Sequence, residues 1–70
     1  MKVWKVYIDY RQVTAFDDGR LDIEWTDENG WKKIVEDKLK SDDVRLGYVT
    51  KIYVKNPCGE IIEKHILLRG

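Results

Sequence analysis

Two turn signals bracket one amphipathic helix, and that pattern uses up nearly all of the 70 residues. Asp18-Gly19 separates one pair of apolar-rich runs, and Asn56-Pro57-Cys58-Gly59 separates a second pair. Between them Trp31, Ile34, Val35, Lys38 and Leu39 recur at helical spacing. The reading is hairpin, helix, hairpin. Little chain remains from which to build a catalytic apparatus.

Residues 3–10 alternate, with Trp4, Val6, Ile8 and Tyr10 on one side and Lys5, Tyr7, Asp9 and Arg11 continuing the other. Period two in β-branched and aromatic residues predicts a half-buried strand with its Trp4 side on the core. The run continues through Val13 to Phe16, so the strand is either long and bent or interrupted by a bulge. Asp18-Gly19 is the sequence of a tight hairpin turn, because both residue types tolerate positive φ. Leu21, Ile23 and Trp25 then alternate with Asp22, Glu24 and Thr26 as a second antiparallel strand.

Thr26 or Asp27 is the expected cap of the helix, accepting from an orphan backbone N–H. Asp27 and Glu28 suit the positive end of its dipole. Lys32, Lys33, Glu36, Asp37 and Lys40 lie opposite the apolar stripe, and Ser41-Asp42-Asp43 stops the pattern. The second hairpin begins near Gly47. Tyr48, Thr50, Ile52 and Val54 are expected on one face, with Val49, Lys51, Tyr53 and Lys55 on the other. Pro57 presets φ for the turn and Gly59 permits its left-handed exit. Residues 60–68 form the last strand. Ile62, Ile66 and Leu68 oppose Ile61, His65 and Leu67, so both its faces carry apolar groups, as in a central or a bulged strand. The expectation is an α+β fold in ββαββ order: one compact domain over 1–70, with a single antiparallel sheet and one helix across one face.

A chain this short buries only about 60% of its unfolded surface, and its three tryptophans and four tyrosines supply large buried areas per residue. No apolar run approaches the ~20 residues of a membrane span, so no membrane partner is expected. The Met1-Lys2-Val3 start leads into alternation without the apolar core of a secretory signal. One cysteine forms no internal disulfide, and a reducing cytoplasm is the expected compartment. Net charge is zero, which argues against a strongly basic nucleic-acid binder or an acidic nucleic-acid mimic. Residues 1–43 nevertheless hold eight Lys/Arg against eleven Asp/Glu, and residues 44–70 five against two. The bland reading of that split is a solvated surface.

Catalytic and metal chemistry find little material. The single histidine, His65, lies within the last strand, and Cys58 lies at a turn tip, with nothing in the spacing to bring a base to the thiol. Asp17-Asp18-Gly19 with Asp22 and Glu24 lacks the ligand ladder, sixth-position glycine and distal glutamate of a calcium loop. Aspartate beside glycine is ordinary turn chemistry. There is no CxxC, no histidine pair and no glycine-rich phosphate loop. Neither an enzymatic activity nor a cofactor or metal is expected.

One constellation is left. If Trp4, Val6 and Ile8 face the helix, then Lys5, Tyr7 and Arg11 face away from it. By the same parity Lys51, Tyr53 and Lys55 face away on the third strand. Tyrosines among cations suit a protein interface and also suit stacking on bases beside phosphates. The plain alternative is a solvated sheet face, where such residues pair well across strands. The acidic residues Asp17, Asp18, Asp22 and Glu24 form a second surface, suited to a basic partner.

The element order, the size and the second hairpin (Lys51-Ile52-Tyr53-Val54-Lys55, then Gly59-Glu60-Ile61-Ile62) resemble the very small phage-encoded inhibitors of host defence. In particular they resemble compact anti-CRISPR proteins built as one helix on an antiparallel sheet. The resemblance is architectural and transfers no functional residue. It implies a non-enzymatic protein that docks on a CRISPR effector complex, blocking DNA access or conformational change through surface charges and aromatics. The expected mode of action is occlusion, by a monomer or homodimer. The partner-binding residues read from parity are Lys5, Tyr7, Arg11, Lys51, Tyr53 and Lys55. The second reading is a small nucleic-acid-binding protein that uses the same face.

Overall fold

The computed structural model describes residues 2–11 and 19–67. The elements run β1 (Trp4–Tyr10), β2 (Arg20–Thr26), α1 (Trp31–Leu39), α2 (Asp42–Arg45), β3 (Val49–Lys55) and β4 (Ile61–Ile66). The four strands form one antiparallel sheet in the order β2-β1-β3-β4, so the two hairpins meet along β1 and β3. This is the expected ββαββ arrangement, with α2 an added single turn. Among the described residues no helix is long and apolar enough to cross a membrane.

The core lies between α1 and the two central strands. Val6 and Ile8 of β1, Val49, Ile52 and Val54 of β3, and Trp31 and Val35 of α1 are buried together. Ile34, Leu39 and Val44 pack at its margin. A helix is about 10 Å across, and strands lie about 4.8 Å apart, so one helix covers roughly two strands. The helix layer lies over the central pair, α1 against β1 and α2 against β3, and reaches neither edge strand fully: on that side Asp22, Glu63 and His65 are half-buried and Glu24 is exposed.

That geometry governs the edge strands. The register pairs Val6 with Glu24 and Ile8 with Asp22, so β2 turns its polar side toward the helix layer and its Leu21–Ile23–Trp25 side away. A two-residue turn at Asp18-Gly19 would set Arg20 opposite position 17, but the observed partner of Arg20 is Tyr10. The change from an odd to an even position reverses every side chain of β2. The observed register of β1 on β2 is therefore not that of a two-residue turn at Asp18-Gly19. Asp18 and the expected continuation of β1 from Val13 to Phe16 lie outside the described residues.

Three other expectations change. Val49 is buried and Tyr48 exposed, the reverse of the alternation. The cause is a bulge: Asp9 pairs with Lys51 but Tyr10 with Val49, which leaves Thr50 as the extra residue. Its Oγ1 donates to the Asp9 carbonyl at 3.2 Å. Neither Thr26 nor Asp27 caps α1 directly. Asp27 Oδ1 instead accepts from the Asn29 and Gly30 N–H groups at 3.0 and 2.8 Å, closing a turn, and the helix starts at Trp31. Finally, Ser41-Asp42-Asp43 ends α1 but also begins α2.

The second turn is as expected. Asn56 Oδ1 accepts from the N–H groups of Cys58 and Glu60 at 3.0 and 2.9 Å, and Gly59 carries φ of 85°. Of the two explanations for the apolar character of both faces of β4, the bulge applies. Glu63 faces Val54, yet Ile61 pairs with Lys55, and β4 is an edge strand. Leu68 lies outside the described residues.

Candidate interaction face

The side of the sheet away from α1 is a grid read directly from the pairing. One row crosses the strands as Trp25, Lys5, Lys55 and Ile61. The next is Ile23, Tyr7, Tyr53 and Lys64; the third is Leu21, Asp9, Lys51 and Ile66. The bulge in β4 leaves Ile62 beside Ile61 at the end of the first row. The central columns are lysine and tyrosine with Asp9, and the outer columns are aliphatic and aromatic apart from Lys64. Trp25 is 67% exposed and Ile66 62%, and Leu21, Ile23, Ile61 and Ile62 are exposed with them. Single exposed apolar residues need no explanation; here six lie on one sheet face, three on each edge strand.

The centre of the grid is ordered by ring contacts. Tyr7 and Tyr53, directly opposite across β1 and β3, stack with centroids 4.7 Å apart and planes 3° from parallel. Lys55 Nζ lies 5.2 Å from the Tyr7 centroid and Lys51 Nζ 5.0 Å from that of Tyr53. Lys5 Nζ lies 4.9 Å from the Trp25 ring centre. Contacts of this kind are worth about 0.5–1 kcal/mol at exposed sites. Their larger effect is to lay long side chains along the sheet. A ring stacked in this way offers an incoming base at most one face, and each of these rings already has an ammonium over it.

Five of the six residues read from parity, Lys5, Tyr7, Lys51, Tyr53 and Lys55, thus come together on the helix-free face. Arg11 does not join them. It follows the bulge at the end of β1, where its N–H donates to the Tyr48 carbonyl at 2.9 Å. Arg11 lines a groove of about 640 Å³ with Arg45, Leu46 and Ile66. Of the acidic surface, Asp22 and Glu24 lie on the helix side of β2, where Asp22 pairs with Arg20 at 3.4 Å, and Asp17 and Asp18 are outside the described residues.

The apolar flanks Leu21, Ile23, Trp25, Ile61, Ile62 and Ile66 extend the face beyond the residues that parity within β1 and β3 places there. Their alternation is visible, but which side it points to depends on register. The one available signal was width, since a single nine-residue helix cannot cover four strands.

Behind the grid, Tyr10 ties the layers together. Its hydroxyl accepts from Lys38 Nζ at 2.9 Å and points to Asp43 Oδ2 at 3.5 Å, while Lys38 and Asp43 pair at 3.7 Å. The hydrogen bond to Tyr10, with Asp43 nearby, holds the Lys38 ammonium above its ordinary 10.5 against the opposing effect of burial. The Arg20 guanidinium lies 4.2 Å from the Tyr10 ring centre and is held above its usual value by Tyr10 and then Asp22.

The two residues weighed as nucleophile and base, Cys58 and His65, sit in different parts of the second hairpin. Cys58 is exposed in the turn. His65 Nε2 sits 3.2 Å from Glu63 Oε2 on the helix side of β4. No cluster of three or more metal-ligating side chains forms among the described residues.

No protein-family model, no curated protein and no solved structure matches the chain. The functional reading therefore rests on the grid and its chemistry.

Proposed function

We propose that this chain is a small non-enzymatic binding protein that works by occlusion, laying its helix-free sheet face over a surface of a partner protein. The observation that carries the proposal is the uncovered apolar flank on both edges of that face, led by Trp25, Ile23 and Ile66. Desolvating exposed aliphatic and indole groups is the main favourable term in protein association, and tryptophan and tyrosine are the commonest anchors of such interfaces. The architectural resemblance extends the proposal to a partner class, a bacterial CRISPR effector complex held by a phage inhibitor. Size and element order support that extension.

The nucleic-acid reading is less well served by the same side chains. Bases stack on open ring faces, whereas Tyr7 and Tyr53 stack on each other. Isoleucine and leucine flanks gain nothing from a phosphate backbone.

The test is capture of a partner from nuclease-treated host lysate by the wild-type chain and by Trp25→Ala and Ile23→Lys. Both variants should keep the unfolding transition within about 1 kcal/mol, since both sites are exposed. Loss of an interface anchor costs about 2 kcal/mol or more, roughly thirtyfold in affinity. Equal capture by all three proteins refutes the face.

A further inference from the structure

We infer that the partner surface is acidic: an apolar protein surface crossed by a ridge of carboxylates. The inference rests on the reading that this face binds a protein, and adds the chemistry of what it binds.

The charge on the face is one-sided. Lys5, Lys55, Lys51 and Lys64 belong to the grid, against the single carboxylate of Asp9. The chain as a whole is neutral, so the balancing carboxylates lie elsewhere. The ion pairs among the described residues join Arg20 to Asp22, Lys38 to Asp43, Arg45 to Asp42 and His65 to Glu63. None of them involves a lysine of the face. Three of those lysines instead lie over rings, which keeps the ammonium groups on the sheet surface; none of the three forms an ion pair among the described residues, and the one carboxylate of the face, Asp9, stands opposite Lys51.

Position turns this excess into selectivity. Lys5, Lys51 and Lys55 are on the central strands, between the apolar columns of β2 and β4. A partner that seats on both apolar columns excludes water from the lysines between them. A desolvated ammonium with no counter-charge is strongly unfavourable, and one that meets a carboxylate is compensated. A neutral or basic surface of equal apolar area is thereby rejected. A second copy seated face to face is rejected for the same reason, since an isologous contact brings the same lysine-rich patch against itself.

The experiment follows backbone amide shifts of the full chain, ¹⁵N-labelled, against three probes at low and high salt. The probes are an amphipathic Leu/Glu peptide, its Leu/Lys counterpart and an oligothymidylate. The Leu/Glu peptide should shift Lys5, Tyr7, Lys51, Tyr53 and Lys55, bind at least about tenfold more tightly than the Leu/Lys peptide, and weaken with salt. The double variant Lys51→Glu with Lys55→Glu should reverse that preference.

Equal binding of the two peptides overturns the acidic assignment while leaving a protein-binding face in place. So does a Leu/Glu peptide that leaves the face unshifted at millimolar concentration. Tighter, more salt-sensitive binding of the oligothymidylate overturns it in favour of nucleic acid. The underlying protein-binding reading fails separately, by lysate capture indifferent to Trp25→Ala.

Discussion

Gly30 is the position where general expectation and this structure give opposite signs. Its backbone is right-handed helical (φ −91°, ψ −24°), so alanine is sterically allowed by its own dihedrals. At such a site glycine to alanine ordinarily stabilises by about 0.4–1 kcal/mol, through the unfolded chain. Here a Cβ would collide with Thr26 Oγ1 and stand 3.2 Å from Asp27 Oδ1, the oxygen that already accepts from Asn29 and Gly30. Threonine is stiff at χ1, and forcing an extra carbon into a filled site costs about 1–3 kcal/mol. The balance is a net destabilisation of about 0.5–2 kcal/mol for Gly30→Ala. Urea unfolding with a slope near 1 kcal/mol/M resolves that as a midpoint lowered by about 0.5–2 M. In a Thr26→Ala background the main obstruction is gone, and the same substitution should be neutral or stabilising by up to about 1 kcal/mol. The resulting coupling is large for a double-mutant cycle. A raised midpoint for Gly30→Ala alone, or the same loss in both backgrounds, refutes the close-approach argument.

Other outcomes follow from the same packing. Ile52 is fully buried between the central strands and α1, so Ile52→Val should cost about 0.5–1.5 kcal/mol. Calorimetry should read this as a Tm lowered by about 4–8 °C per kcal/mol. The same change at the exposed Ile23 should stay within about 0.5 kcal/mol. Tyr10→Phe removes the oxygen that accepts from Lys38, at a cost of about 0.5–1.5 kcal/mol in the unfolding free energy. It should also let the Lys38 titration, followed by Nζ-detected NMR, fall back toward 10.5. Because the folded-state value is the raised one, the stabilisation from Lys38 is fully present below 10.5 and is lost as pH climbs through the folded value. The stability gap between wild type and Lys38→Met should therefore be flat from pH 7 to about 10 and shrink above it.

Much of this fold was legible because its signals are local. The alternation of β1, the Trp31–Leu39 stripe and the Asn56–Gly59 turn each rest on neighbouring residues, and each is found in place. What escaped depends on pairing between distant segments. Whether Leu21, Ile23 and Trp25 face the core or solvent turns on one step of register between β1 and β2, and a two-residue Asp18-Gly19 turn gives the wrong parity. The inversion of Tyr48 and Val49 likewise needs the bulge at Asp9 and Tyr10, which no single-strand pattern announces. The same limit applied to the site. Parity within β1 and β3 placed the central Lys and Tyr residues together, while the apolar columns belong to the edge strands, where only the assembled register decides the side.

The account's central claim is that the lysine–tyrosine face with its apolar flanks is a surface for a partner rather than an incidental side of the sheet. Its most direct test is the backbone-amide footprint of the captured partner on the labelled chain. The predicted footprint covers Leu21–Trp25, Lys5–Asp9 and Lys51–Lys55 and leaves the outer face of α1 unshifted. A footprint on Lys32, Lys33, Glu36 and Asp37, with those strand residues unmoved, would contradict the claim.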